Sequence, residues 1–310
     1  MDLSIIIVCY RGWERLTKCL DALDSFTGRD FSMEVIVVDN NSADGRIDGF
    51  EKKYQKFRFI RNRINGGYSN GCNLGASHAS GNNLLFLNPD TVAAEQQTGK
   101  LLEVLNSNPD YYIISCRQVR EDGRECRASG SFPGLFGKRS SLQKKNALKE
   151  NVSFPDWISG SVMMMRREIF NKLHGFDEEY WMYSEDVDIC RRARDLGGEI
   201  ALFNNITIEH NHGGSSRIDI VTISVTKTEV QISRHLYIHK HIEGIERALF
   251  HALIIADNIL TGIITGITGL CFFFIPKLFV RTLIFIGLLR YYFDSLLRRS
   301  WISRRSVSFI

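Results

Sequence analysis

The chain has 310 residues, 44% hydrophobic and 24% charged, enough to bury a sizeable core in one large domain or one domain plus an appendage. Its net charge of +4 is modest and no long basic run is present, which argues against a nucleic-acid groove. Seven scattered cysteines, odd in number and without C-x-x-C spacing, exclude a disulfide frame or a zinc ribbon and read as reduced thiols of a cytosolic compartment. The opening MDLSIIIVCY has neither a basic n-region nor a cleavage site, so it reads as a strand rather than an export signal. Near-continuous apolar runs at 3–10, 33–40 and 82–88 fit strands covered on both faces, as in a parallel sheet. Between the first two, Leu16, Leu20 and Leu23 fall at helical spacing, which makes a βαβ unit. A glycine-rich loop is expected over 65–75, then a helix around EQQTGKLLEVLNS and a strand at YYIISC. Residues 120–156 are polar and irregular, and a helix should begin near Ser184.

In an open α/β sheet, ligands bind beyond the carboxyl ends of the strands. The tips at Cys9-Tyr10-Arg11, Asp39 and Asn88-Pro89-Asp90 should therefore converge on one crevice. Asp39 reads either as a turn former satisfied locally or as an acceptor for a nucleobase N–H. The loop NGGYSNGCNLG lets a phosphate or sugar approach its backbone, or is a plain solvent loop. It is not a P-loop, and no G-x-G-x-x-G follows the first strand, which lowers ATPase and dehydrogenase readings. Glu185 and Asp186 fall in the first turn of the later helix, where acids complement the dipole. Beside Trp181, Met182 and Tyr183 they also suit a desolvated general base. His210 and His212 close an apparent strand. Asp90, one histidine and a substrate diphosphate would complete an octahedral Mg²⁺ or Mn²⁺ shell.

Past residue 222 the pattern is helical, and from about 248 it is strongly apolar. Residues 248–275 approach the roughly 20 needed to span a bilayer, but Asp257 and Asn258 interrupt them. Arg290, Arg298, Arg299, Arg304 and Arg305 follow. We read helices lying in or dipping into the cytoplasmic leaflet. A hairpin packed on the catalytic part or forming a homo-oligomer is the second reading, and a true span the third.

The ordered motifs SIIIVCYRGWERLTKCLDAL, VIVVDNNSADG, NGGYSNGCNLG, LLFLNPDT, WISGSVMMMRREIFNKLHGFDEEYWMYSEDVDICRRAR and IEHNHGGSS resemble the family-2 inverting glycosyltransferases over roughly residues 3–245. The bacterial rhamnosyltransferases of O-antigen and cell-wall assembly are the branch they are most similar to. The resemblance implies an α/β GT-A fold: a Rossmann-like nucleotide-binding half fused to an acceptor half, here with a C-terminal helical apolar extension. Catalytic residues 1–221 would then precede a membrane-associating region, 222–310. Cys9, Tyr10, Arg11, Asp39, Asn70, Asn88 and Asp90 would hold the donor. Asn88 stands where the family's D-x-D motif has its first Asp. Asp90 and His210 would bind the metal, with His212 the lesser choice. Asp186 of the Glu185-Asp186 pair would be the base, and Trp157, Gly160 and Ser161 would line the acceptor side. Arg217 either adds charge near the phosphates or is solvated. The implied reaction moves L-rhamnose from dTDP-rhamnose onto a polyprenyl-diphosphate-linked glycan at the cytoplasmic face of the inner membrane. Alternatives are another hexose or deoxyhexose from a UDP or dTDP donor, or a silent nucleotide-sugar-binding scaffold.

Overall fold

A computed structural model describes residues 1–28, 30–135, 151–211 and 219–309. The first strand, β1 (Leu3–Cys9), is followed by α1 (Trp13–Asp24), β2 (Met33–Asp39), α2 (Ile47–Lys53), β3 (Arg58–Arg61) and α3 (Gly67–Ser77). Next come β4 (Asn83–Leu87), β5 (Thr91–Val92), α4 (Glu95–Ser107), β6 (Tyr111–Val119), β7 (Ser129–Gly130), β8 (Val152–Ser153) and β9 (Trp157–Ile158). Then β10 (Val162–Arg166), α5 (Arg167–Lys172), α6 (Glu185–Asp195) and β11 (Glu199–His210) complete the mixed α/β part. Three helices close the chain: α7 (Ile220–His241), α8 (Gly244–Cys271) and α9 (Pro276–Arg298).

The main sheet has nine strands in the order β3-β2-β1-β4-β10-β6-β11-β5, with β8 also pairing β11. Strands β3, β2, β1 and β4 are parallel, and β10 runs antiparallel between β4 and β6. Every residue of β1 is buried, because each face of the sheet carries its own core. Leu3, Ile5, Ile7 and Cys9 pack with Leu16, Leu20 and Leu23 of α1 on one face. Ile6 and Val8 pack with Cys72 of α3 and with Ile189 and Cys190 of α6 on the other. Alternation along a strand produces this division.

One expectation differs. Residues 67–77 form a helix rather than a glycine-rich loop. Its glycines serve close packing: a Cβ on Gly71 would stand 2.6 Å from Val8 Cγ1, and one on Gly75 2.5 Å from Ile6 Cγ2. The cost of glycine in a helix is accepted where it lets the helix backbone settle onto β1.

The chain divides into two compact units. Described residues of the first fall within Met1–Phe132, Lys138–Asp177 and Glu185–Ser215, and those of the second within Pro133–Gly137, Glu178–Ser184 and Ser216–Ile310. In the second unit, α8 and α9 form an antiparallel hairpin along a glycine seam. A Cβ on Gly262 would lie 2.1 Å from Phe285, and Thr282 Oγ1 donates to the Gly266 carbonyl at 2.8 Å. Small residues that let backbones approach this closely are typical of helix pairs in lipid. Helix α8 is long and apolar enough to cross a membrane, with mean hydropathy 1.7, and Phe273, Phe274 and Leu270 near the hairpin tip are exposed.

Candidate active site

Register fixes where the strand tips meet. Cys9 lies opposite Asp39 and Ile7 opposite Leu87, so β1, β2 and β4 end along one edge of the sheet. The Asn40 N–H donates to the Cys9 carbonyl at 2.8 Å, and the Asn88 N–H donates to Ser161 at 2.9 Å. That last bond places the β4 tip beside the turn that enters β10.

At this edge Asp90 Oδ1 stands 3.3 Å from His210 Nε2. Both side chains are largely buried, and β5 pairs with the end of β11 through Thr91 and His210. His210 Nδ1 donates to Gln118 Oε1 at 2.8 Å, because an amide oxygen can only accept. In the neutral ring this leaves the Nε2 lone pair turned toward a carboxylate oxygen. An imidazole nitrogen and a carboxylate oxygen at this separation fit neighbouring ligand positions of a small divalent ion, at bond lengths of about 2.1 Å. Among the described residues no cluster of three or more His, Cys, Asp or Glu side chains gathers. Arg15 Nη1 lies 3.7 Å from Asp90 Oδ2 and also donates to the Asn211 carbonyl. A cleft of about 690 Å³ opens here, with Arg15, Lys18 and Arg120 on its wall beside Asp90.

The second acid group sits at the start of α6. Asp186 Oδ2 accepts from the Gly160 N–H at 3.1 Å and Oδ1 from the Val187 N–H at 2.9 Å. Tyr68 donates its hydroxyl to the Gly160 carbonyl at 2.7 Å, which fixes that peptide from its other side. Burial pushes the Asp186 carboxyl above the usual aspartate range, against the pull of the Gly160 and Val187 amides. Glu185 is pushed well above the glutamate range, first by burial and then by the charge of Asp186. Its Oε2 is buried with no hydrogen-bond partner among the described residues, an environment for a neutral acid.

A continuous polar chain joins the two groups. From Asp186 it runs to the Gly160 N–H, and along the peptide to Ser161. Ser161 Oγ donates to Gln118 Oε1 at 2.7 Å, the same oxygen that receives the His210 Nδ1 proton. His210 then faces Asp90. Gln118, Arg15, Lys18 and Arg120 were not among the expected residues; a glutamine inside a β-rich run is marked only by its partners in space.

Other expected residues fall as follows. Cys9 points into the core, where burial pushes its thiol up to about 12, so only its backbone reaches the strand tip. Tyr10 is half-buried, and the Arg11 guanidinium lies 5.2 Å from its ring centroid, with Arg11 itself in the left-handed region at φ 54°. Asp39 Oδ1 accepts from the Ser42 N–H at 3.0 Å, a local turn bond. Asn70 Oδ1 accepts from Asn62, within an amide network that includes Asn40 and Asn65. Trp157 Nε1 donates to the Ser131 carbonyl at 3.0 Å, in the small sheet of β7 and β9. His212 and Arg217 lie outside the described residues.

A Rossmann-like parallel half, an antiparallel continuation, and a carboxylate–histidine pair at the strand ends define a GT-A type transferase. The profile described as "Glycosyl transferase family 2" matches residues 4–174, more than half of the sequence, and "N-terminal domain of galactosyltransferase" matches 146–212. The chain belongs to glycosyltransferase family 2. It is 28% identical over 215 residues to the low-salt glycan biosynthesis hexosyltransferase Agl10 of Haloferax volcanii, covering 68% of this chain and 67% of that one. It is 26% identical over 220 residues to an N-acetylglucosaminyl-diphospho-decaprenol L-rhamnosyltransferase of Mycobacterium tuberculosis, covering 63% and 71%. The crystal structure of GalNAc-T7 with UDP, GalNAc and Mn²⁺ superposes with a TM-score of 0.56 at 16% identity, over 75% of this chain and 48% of that one.

Proposed function

We propose that this glycosyltransferase moves L-rhamnose from dTDP-rhamnose onto a hydroxyl of a polyprenyl-diphosphate-linked glycan, with inversion at the anomeric carbon. The observation that carries the reading is the polar chain from Asp186 through Gly160, Ser161 and Gln118 to His210 and Asp90. It holds a desolvated base and a ligand pair in one hydrogen-bonded frame. The rhamnosyl and decaprenol-linked substrates are supported by the similarity to the mycobacterial L-rhamnosyltransferase.

In the reaction the acceptor oxygen bonds to the anomeric carbon as the bond to the diphosphate oxygen breaks. Asp186 takes the acceptor proton, and Glu185, kept neutral by burial, leaves Asp186 as the anion of the pair. Asp90 and His210 would hold Mg²⁺ or Mn²⁺, which when bound supplies positive charge at the leaving diphosphate. Arg15, Lys18 and Arg120 offer further charge along the same cleft. Asp39, Asn70, Asn88 and the backbone of 9–11 would hold the nucleotide, and Trp157, Gly160 and Ser161 the acceptor. Residues 1–221 would carry catalysis. Residues 222–310 would attach the enzyme to the cytoplasmic leaflet through the apolar hairpin, where a lipid-linked acceptor is found.

The test is transfer by purified protein across dTDP- and UDP-sugars with Mg²⁺, Mn²⁺ or EDTA, with and without a decaprenyl-diphosphate-linked acceptor. Metal-dependent turnover of dTDP-rhamnose is expected. Turnover of a different donor replaces the sugar assignment, and binding without turnover leaves a nucleotide-sugar scaffold.

A further inference from the structure

The segment Glu178–Ser184 runs directly into Glu185 and Asp186, and it ends in two consecutive left-handed residues, Tyr183 at φ 71° and Ser184 at φ 63°. Side chains other than glycine stay in that conformation only where their surroundings hold them. From α7, Ser233 Oγ donates to the Met182 carbonyl at 2.7 Å, and Lys240 pairs with Glu179 at 2.6 Å. Residues 305 and 306 add further contacts to this segment. Ser306 Oγ donates to the Glu178 carbonyl at 2.7 Å, and the Arg305 guanidinium lies 5.4 Å from the Trp181 ring centroid.

This tail is itself anchored. The Trp301 ring stacks on His235 and His251 with centroids 4.9 and 4.1 Å away. Ser303 Oγ donates to the buried Glu229 at 2.9 Å, and Arg305 Nε stands 3.7 Å from the same carboxylate. Arg305 therefore joins two groups that each favour a cation, a desolvated carboxylate and an aromatic face.

We propose that residues 301–306 are a latch, a positioning element that holds Glu178–Ser184 and so fixes the backbone from which Asp186 follows. The latch rests on the reading of Asp186 as the base. Ser306 and Arg305 touch the strap, whereas Trp301 and Ser303 only anchor the tail.

The test compares the full chain with Arg305→Ala/Ser306→Ala, with Arg305→Lys and with Asp186→Asn. Amide hydrogen exchange is measured along the chain, together with kcat and donor KM for dTDP-rhamnose or whichever donor the panel turns over. The double variant is expected to speed exchange at 178–184 while leaving β1 to β4 protected. Its kcat should fall about 10- to 100-fold, as a displaced catalytic group does, with donor KM unchanged. Arg305→Lys, which keeps the charge, should recover part of kcat. Unchanged exchange at 178–184, or faster exchange with kcat intact while Asp186→Asn is inactive, overturns the latch alone. A fully active Asp186→Asn protein overturns the base reading and the latch with it. If the double variant loses protection throughout, the single variants Arg305→Ala and Ser306→Ala decide by the same criteria: unchanged exchange at 178–184, or faster exchange with kcat intact, overturns the part of the latch that residue carries.

Discussion

Asp90 and Asp186 are both carboxylates at the end of an ordered element, yet their surroundings differ. Asp90 follows a strand tip and faces His210, Arg15 and a charged cleft in which Lys18 and Arg120 alternate with Glu14, Glu121 and Asp122. Asp186 lies in the first turn of a helix, is half-buried, and accepts from the backbone N–H groups of Gly160 and Val187. The first setting suits a carboxylate that shares its charge with a bound cation. The second raises the affinity for a proton, which suits a group that must accept one. On the proposed function one side chain type would serve two purposes, assigned by neighbours rather than by sequence position.

Asp186→Asn tests this contrast most severely. It keeps the shape and the Gly160 bond but cannot take a proton, so kcat should fall about 10²- to 10⁴-fold while nucleotide affinity, measured by calorimetry, holds. An equal loss for both quantities would mean that Asp186 binds donor instead. On the other side of the comparison, Gln118→Ala removes the acceptor that orients His210 Nδ1. Metal affinity, read by Mn²⁺ titration, should drop about 10- to 100-fold, as when an outer hydrogen-bond partner of a metal-binding histidine is lost. Unchanged Mn²⁺ affinity would mean that the Gln118 bond does not orient a metal ligand.

A smaller effect separates the two sites through packing. Gly75→Ala puts a methyl 2.5 Å from Ile6 Cγ2, and α3 must shift away from β1. Overpacking of this kind costs about 1–3 kcal/mol, measurable by chemical denaturation. Tyr68 on the same helix holds the Gly160 peptide that cradles Asp186, so turnover should suffer more than Mn²⁺ binding.

Much of this arrangement was legible beforehand, for identifiable reasons. The three early strands stand out because burial on both faces demands unbroken apolar runs, and Pro89 marks where β4 must stop. The ordered motifs carried the family and the GT-A fold. Residues 67–77 were misread because glycine signals a loop in sequence, while here it signals a backbone pressed against Val8 and Ile6. Gln118 and Arg15 stayed hidden because their roles are tertiary: Gln118 meets His210 from 92 positions away, and Arg15 meets Asn211 from 196. The grouping of Glu178–Ser184 with the C-terminal helices was equally invisible, since nothing local distinguishes a strap from a loop.

The finest test concerns the two adjacent acids. Both are pushed upward, Glu185 further than Asp186, so their protons leave in steps that belong to the pair. The base works only when Asp186 is ionised, so kcat should rise with pH through a limb above the ordinary aspartate range and level off beyond it. Glu185, pushed up further, is the member expected to keep its proton across that limb. Glu185→Gln therefore changes no charge there, and it should lower kcat only about 2- to 5-fold, within what loss of a few contacts does, while the limb stays in place. Were Glu185 the ionised member instead, removing its negative charge would lower the proton affinity of Asp186, and the limb would move toward acid. A pH–rate profile of Glu185→Gln beside the unsubstituted enzyme reads that difference directly, and a shifted limb would exchange the roles assigned to the two carboxylates.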